Sequence, residues 1–277
     1  MIALTPELLG FMPIDGDDRA WRVELRGRTL IVRALIHLDE LEPVDDIQRQ
    51  TMGTTDYDLI PASELVVVPE TGGYVLATFD PESGAMLAAG FSWGGFFEGR
   101  PRLVSDFLGV RKEARSFGIG EAMKRLQASL AVRDGFEEIV WTVDPLRAAN
   151  ARLNFTKLGA VCHHYERNRY GEAFGEAHYG GLPTDRLHLT WLVRSEQVAD
   201  LLLGQFPRSS LEREALFIPI PDDIDQVLAE SRDEALRWRL LVREQIEEHF
   251  ADGWEIDGFA PAGTVGEQPA LVLHQRT

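Results

Sequence analysis

Cysteine is nearly absent from this chain: Cys162 is the only one in 277 residues. A lone cysteine excludes an internal disulfide and fits a reducing compartment, so a cytoplasmic protein is expected. Lysine is scarce as well, with Lys112, Lys124 and Lys157 the only three among 28 basic residues. Acidic residues number 45, which leaves a formal charge of −17. Acid spread along the whole chain repels phosphate backbones and anionic lipid, so neither nucleic acid nor a membrane surface is an expected partner. No stretch approaches the roughly 20 apolar residues of a membrane-spanning helix. The opening MIALTPELLGFMPIDGDD has no basic segment, and Pro6 and Pro13 interrupt its apolar residues, so no leader peptide is expected.

What is present is an ordinary globular balance, 44% apolar and 26% charged residues, without repeats or low-complexity tracts. The β-branched run Thr29–Leu35 predicts a first strand. Leu38 to Met52 has helical spacing, Gly53 to Ile60 reads as a loop, and Pro61 to Glu64 can start a short second helix. Three strands follow, Tyr74–Phe79, Met86–Phe96 and Arg102–Val110, with Gly99–Pro101 as a break; their compact turns predict an antiparallel meander. A helix of about four turns begins at Gly118-Ile119-Gly120 and stops at Asp134-Gly135. Then come a strand over Glu138–Val143, a helix over Pro145–Leu158, and strands over Val161–Tyr165 and Leu187–Val193. In the tail, Asp222 or Asp223 can cap a helix running from Ile224 to Phe250. Trp254–Ala260 and Pro269–His274 read as a hairpin. The chemistry of this tail has no signature.

The stretch Leu108 to Ala122, L-G-V-R-K-E-A-R-S-F-G-I-G-E-A, carries the strongest signal. A strand end passes through R-x-x-G-x-G directly into a helix. The first turn of a helix leaves main-chain N–H groups unsatisfied, and the helix dipole places about +0.5 charge there. Gly118 and Gly120 lack Cβ atoms, so a pyrophosphate can approach the main chain, and Arg115 adds a fixed positive charge. A dinucleotide fingerprint is excluded because Met123 stands where its third glycine would be, and no G-K-[ST] exists for a Walker loop.

Leu108-Gly109-Val110 followed by Arg115-Ser116-Phe117-Gly118-Ile119-Gly120 resembles the pyrophosphate-binding motif of the GNAT superfamily of CoA-dependent N-acyltransferases, [QR]-x-x-G-x-[GA]. The order of elements over Thr29–Val193 is similar too, as is Ala151-x-Leu153-Asn154-Phe155-Thr156-Lys157-Leu158-Gly159 on the helix after the fifth strand. The segment Val143–Phe155 (VDPLRAANARLNF) resembles a branch of predicted acyltransferases in that superfamily, some of whose neighbours acylate amino acids. The resemblance implies an α+β fold in three layers, α/β/α, with a mixed, mostly antiparallel central sheet flanked by helices and a small C-terminal helix-and-hairpin extension. It divides the chain into an N-terminal extension (1–28), an acyltransferase-like domain (29–194) and a C-terminal subdomain (195–277). It implies acetyl-CoA or another acyl-CoA, such as succinyl-CoA, as co-substrate, and a small-molecule amine as acceptor. Arg115, Ser116, Phe117, Gly118, Ile119 and Gly120 would hold the pyrophosphate. The strand edge at Leu108, Gly109 and Val110 would pair with the pantetheine arm and polarise the thioester carbonyl.

Amines are largely protonated at neutral pH, so a base is needed. Strand alternation places Val104, Asp106, Leu108 and Val110 on one face, which makes Asp106 the preferred base; a carboxylate paired with an arginine is the competing role. The tyrosine that the family often uses to protonate the leaving thiolate is replaced by Phe155. Tyr165, Tyr170 and Tyr179 come from the segment that would frame the acceptor, with Tyr170 the candidate acid. Asn150 and Asn154, four apart on one helical face, are candidates for hydrogen bonds to CoA or for capping a neighbouring strand. Arg147, Arg169 and Arg186 are candidates for an acceptor carboxylate. His163 and His164 are adjacent and so point to opposite faces of a strand, and with no Cys/His spacing elsewhere no metal site is expected. Cys162 reads as a small buried hydrophobe. The alternative function is a non-catalytic acyl-CoA sensor or scaffold, and a homodimer is the default assembly.

Overall fold

The computed structural model describes residues 4–52, 58–205 and 214–276, so part of the loop expected between Gly53 and Ile60 lies outside the described residues. The chain forms two compact units: Met1–Val140 with Leu192–Leu203, and Trp141–Trp191 with Gly204–Thr277. Together they have a mixed, mostly antiparallel sheet organisation flanked by helices. The units divide the chain elsewhere than at 28/29 and 194/195, because packing rather than composition joins Leu192–Leu203 to the first unit.

In the first unit, Phe11–Ile14 (β1) and Asp17–Leu25 (β2) form a hairpin, and β2 pairs with Arg28–Ala34 (β3). The supposed N-terminal extension is therefore two strands of sheet, with Phe11, Ala20, Trp21 and Val23 buried. Leu38–Met52 (α1) and Ala62–Leu65 (α2) precede the meander Tyr74–Phe79 (β4), Met86–Phe97 (β5) and Arg100–Val110 (β6). Each strand from β1 to β6 is antiparallel to the next. The break expected at Gly99–Pro101 is instead a two-residue turn. Glu98 and Gly99 both have positive φ (51° and 78°), as a hairpin turn of the primed type requires, and Pro101 lies within β6 opposite Phe96. Ile119–Arg133 (α3) then leads to Glu138–Val143 (β7), whose start pairs parallel to β6.

The central strand β4 is buried at five of its six residues, which requires cover on both faces. On one face Leu41, Val44 and Ile47 of α1 and Leu65 of α2 pack with Val75, Ala77, Ala89, Phe91 and Phe107 in one apolar cluster. The Phe91 and Phe107 rings stack at 5.2 Å. Complete burial of side chains of this size stabilises by about 1.5–3 kcal/mol each. The helix α3 lies on the other face and buries Ile119, Ala122, Met123, Leu126 and Leu130.

In the second unit, Ala148–Ala151 (α4) continues as a π-helical turn over Arg152–Lys157, in place of the uniform helix expected for Pro145–Leu158. Val161–Glu166 (β8), Gly171–His178 (α5) and Arg186–Trp191 (β9) follow, and Trp191 meets Trp141 edge-on at 5.9 Å. Glu196–Leu202 (α6), capped by the Ser195 hydroxyl, belongs to the first unit. Ala215–Pro219 (β10) is a short strand that the sequence pattern does not reveal. The single helix expected after Asp223 is two, Ile224–Glu230 (α7) and Arg232–Ala251 (α8). Ser231 is in extended conformation between them and caps the second through its hydroxyl. Trp254–Ala260 (β11) and Ala270–Gln275 (β12) form the expected hairpin. The strands run β9-β8-β11-β12-β10. No helix of the described residues is long and apolar enough to cross a membrane.

The second unit is locked by a buried ion pair. Arg239 of α8 donates two 2.8 Å hydrogen bonds to Asp144, and the side chains are 1% and 3% exposed. Burial alone would raise the Asp144 carboxyl, but the charge and hydrogen bonds of Arg239 overcome it and hold the group below the usual carboxylate value. Asp144→Ala leaves the guanidinium buried and uncompensated and should destabilise the fold by about 3–5 kcal/mol. A denaturant midpoint unchanged in that variant would refute the assignment. The double replacement Asp144→Leu with Arg239→Met should recover most of the loss.

Candidate functional site

The loop between β6 and α3 is organised by backbone conformation. Ser116 and Gly118 both lie in the left-handed region (φ 70° and 86°). Alternation of this kind turns successive main-chain N–H groups toward one point, the geometry of an anion nest. Gly118 is the N-cap of α3 and has no side chain to cap it, so the first N–H groups of a 15-residue helix have no side-chain acceptor at that position. A Cβ on Gly118 would meet no atom within 4 Å, so glycine is there for its φ and the space beside it is open. The loop is tied down from outside: Arg26 donates to the Ser116 carbonyl at 2.5 Å, and Arg28 stacks on Phe117 at 4.2 Å. Arg115 is exposed and reaches back to the Val110 carbonyl at 3.3 Å. Ile119 is buried in the helix face, and Gly120 lies 3.8 Å from Leu108 and Val110 at the position a Cβ would take.

The pairing of β6 makes the second part of the site. Arg102, Leu103 and Val104 pair with Glu138, Ile139 and Val140 of β7, and Arg102 donates to Glu138 at 2.6 Å. From Ser105 to Val110 that edge of β6 has no strand partner among the described residues. Main-chain donors and acceptors there are left for another extended chain.

A β-bulge corrects the expected alternation. Phe91 pairs with Phe107 and Ser92 with Ser105, so Asp106 is an extra residue with no partner on β5. Ser105 therefore faces α3, where Lys124 donates to its hydroxyl at 2.6 Å, while Phe107 joins the cluster under α1. Leu108 and Val110 return to the α3 side, beside Gly120. Asp106 thus does not share a face with Leu108 and Val110. It lies with Val104 and Trp93, whose indole N–H donates to its carboxylate at 3.3 Å, and it is exposed. Gly109 is glycine for packing, since a Cβ there would stand 2.4 Å from the Thr51 hydroxyl of α1.

Lys124 is the feature that the sequence pattern hides. Its side chain is buried, and besides Ser105 it donates to Gln127 at 3.2 Å. It borders a cavity of about 10 Å³ with Leu76, Gly90 and Met123, room for a single water. A lysine at an inward position of an otherwise apolar helix face, in a chain with only three lysines, was the available signal.

In the second unit the π-helical turn separates the two asparagines. Asn150 is exposed and Asn154 is 4% exposed, so they do not share an open face, because a π-turn rotates the residues that follow it. Phe155 is buried. The Tyr170 hydroxyl lies 3.1 Å from Thr142, and its ring is 45% exposed. Tyr165 donates to Asp185 at 2.5 Å, and burial, reinforced by that carboxylate, pushes its proton affinity up. Each candidate arginine has an internal partner: Arg147 binds Asp225 through both terminal nitrogens, Arg169 binds Glu166, and Arg186 donates to the Tyr179 hydroxyl at 2.9 Å. Cys162 is fully buried, and desolvation pushes its thiol up to about 12, which fits an inert core residue.

Burial lowers the Lys124 ammonium from 10.5 to about 7. Between these values the unfolded chain holds a proton that the folded chain does not, so stability rises with pH across the window and the burden is greatest below pH 7. Lys124→Met should therefore gain most over the wild type below pH 7, with the gap narrowing toward pH 10.5. A pH-independent gap in urea midpoints would show that this amine is not buried.

No family profile matches the sequence, and no curated protein matches it. The structure is similar over part of its length to solved acetyltransferases. One is a chain of the NatC complex bound to Gag peptide and CoA, at 13% identity and a TM-score of 0.47, covering 59% of this chain and 98% of that one. Another is a GNAT-family acetyltransferase from Streptococcus pneumoniae, at 16% identity and a TM-score of 0.45, covering 58% and 97%. A third is Ard1 from Thermoplasma volcanium, at 15% identity and a TM-score of 0.44, covering 60% and 99%.

Proposed function

We propose that this chain is a GNAT-type N-acyltransferase that moves an acyl group, acetyl or succinyl, from coenzyme A to a small-molecule amine. The observation that carries the reading is the uncapped N-terminus of α3, opened by two left-handed residues next to the unpaired edge of β6. Helix dipole and convergent N–H groups suit a pyrophosphate, and the open cradle at Gly118 fits it without a clash.

In this reading the main chain of Arg115–Gly120 holds the pyrophosphate and the Arg115 guanidinium adds charge. The β6 edge at Leu108–Val110 hydrogen-bonds the amides of the pantetheine arm. Acyl-CoA supplies an activated thioester. A main-chain N–H of β6 stabilises the oxyanion as the amine attacks, the C–N bond forms and the C–S bond breaks. Asp106 accepts the amine proton, held by Trp93 on the face away from Leu108 and Val110. The resemblance alone supports Tyr170 as proton donor to the thiolate and Asn150 and Asn154 as CoA contacts. A cytoplasmic setting and a homodimer belong to the same reading.

Acetyl-CoA should bind to the wild-type chain in calorimetry and bind Gly120→Glu at least about tenfold more weakly, because the variant puts a carboxylate at the anion site. Equal affinity in a folded variant would sink the assignment. Asp106→Asn should lower turnover by about tenfold or more with CoA affinity nearly unchanged, and wild-type turnover would remove it as the base. Phe155, buried where a proton-donating tyrosine is usual, favours a second reading as a non-catalytic acyl-CoA sensor. Free thiol released from acyl-CoA with a panel of amines decides for the enzyme, and binding without release decides for the sensor.

A further inference from the structure

The face shared by β8 and β9 holds a group of ligands that the proposed acyl transfer does not use. His164 of β8 pairs in register with His188 of β9, and their rings lie 4.5 Å apart. Glu166, two residues beyond His164, places its carboxylate 2.7 Å from His188 Nε2. One ligand atom from each of the three lies within 4.8 Å of the others. Among the described residues this is the one such convergence of histidine, cysteine, aspartate or glutamate.

A second bulge produces the arrangement. Cys162 pairs with Leu189 and His164 with His188, so His163 is the extra residue. In a regular strand His164 would follow Cys162 into the core. The inserted residue instead turns His164 onto the solvent-accessible face with His188 and Glu166. Adjacency of His163 and His164, which argued against a joint site, is thus beside the point: the partner of His164 is across the ladder.

The site already attracts a cation. Arg169 bonds to Glu166 and brings a guanidinium nitrogen to 3.4 Å from His188 Nε2. Positive charge therefore sits where the carboxylate and the imidazole point. Arg169 is exposed and its side chain can leave into solvent.

We propose that His164, Glu166 and His188 bind one divalent transition metal of the zinc class, with Arg169 as the competing cation. Two imidazoles and one carboxylate suit Zn²⁺, Co²⁺ or Ni²⁺ rather than Mg²⁺ or Ca²⁺, which take oxygen ligands. Tetrahedral ligation with bonds of about 2.0–2.2 Å requires the three atoms to draw together slightly, within reach of side-chain rotation. Three protein ligands leave a position for water or an anionic ligand. This inference stands apart from the acyltransferase reading.

The test uses the full-length, untagged chain, stripped with chelator and titrated with Co²⁺ by visible absorption and with Zn²⁺ by calorimetry. The expected result is one metal per chain, with ligand-field bands of low-symmetry nitrogen and oxygen coordination. His164→Asn, Glu166→Gln and His188→Asn should each weaken binding about tenfold or more, and His163→Asn should leave it unchanged. Arg169→Gln should strengthen it, since a competing charge is removed. His164 is exposed, so its variant carries the test even where His188→Asn fails to fold. No stoichiometric binding by the wild type, or binding that survives both His164→Asn and Glu166→Gln, would overturn the proposal, as would equal loss in His163→Asn.

Discussion

Strand β6 is held along its whole length on one side and only at its beginning on the other. β5 pairs with it from Arg100 to Val110, whereas β7 pairs with only Arg102, Leu103 and Val104. That unequal pairing governs the first unit. The paired side fixes the core beneath α1, where Phe107 stacks on Phe91. The open side leaves polar main chain at the point where the chain turns into the loop before α3. A strand edge inside a sheet is normally closed, because unsatisfied N–H and C=O groups attract any extended segment. Here the edge ends beside a helix N-terminus that is itself without a cap. Two unsatisfied main-chain features in succession suit an elongated ligand with amides at one end and phosphate at the other.

What could be read in advance was whatever depends on neighbours in sequence. The limits of α1, the length of α3 and its stop at Asp134 follow from periodicity and from glycine, and the loop before α3 follows from the positions of Gly118 and Gly120. What could not be read depends on partners distant in sequence. No property of Ser105, Asp106 and Phe107 announces a bulge, since it is the offset against Phe91 and Ser92 that makes Asp106 the extra residue. The same holds for His163, and for the link between His164 and His188, which exists only through strand register. The π-turn at Arg152–Lys157 failed for another reason: residue type barely distinguishes i→i+5 from i→i+4 bonding.

Charge is used differently in the two units. In the first, guanidinium groups of Arg26 and Arg28 brace a loop, and Arg115 stands exposed at it. In the second, arginines answer internal acids: Arg239 to Asp144, Arg243 to Asp185, Arg147 to Asp225 and Arg167 to Glu247. With 45 acidic residues against 28 basic ones, arginine is the limiting partner, and its planar fork meets a carboxylate with two bonds at once. A scarcity of lysine then has a structural side, since a point charge would replace few of these contacts well.

The bulge at Asp106 also has a meaning for how the chain can change by descent. Replacing a paired residue alters one side chain, but gaining or losing the unpaired one shifts the phase of all that follows. Without residue 106, Phe107 and Gly109 would exchange faces with Leu108 and Val110. A benzyl group would be driven toward Gly90 and α3, and an isobutyl group into the space beneath α1. This segment should therefore tolerate substitution far better than insertion or deletion, and its length, more than its composition, is what a lineage would have to keep.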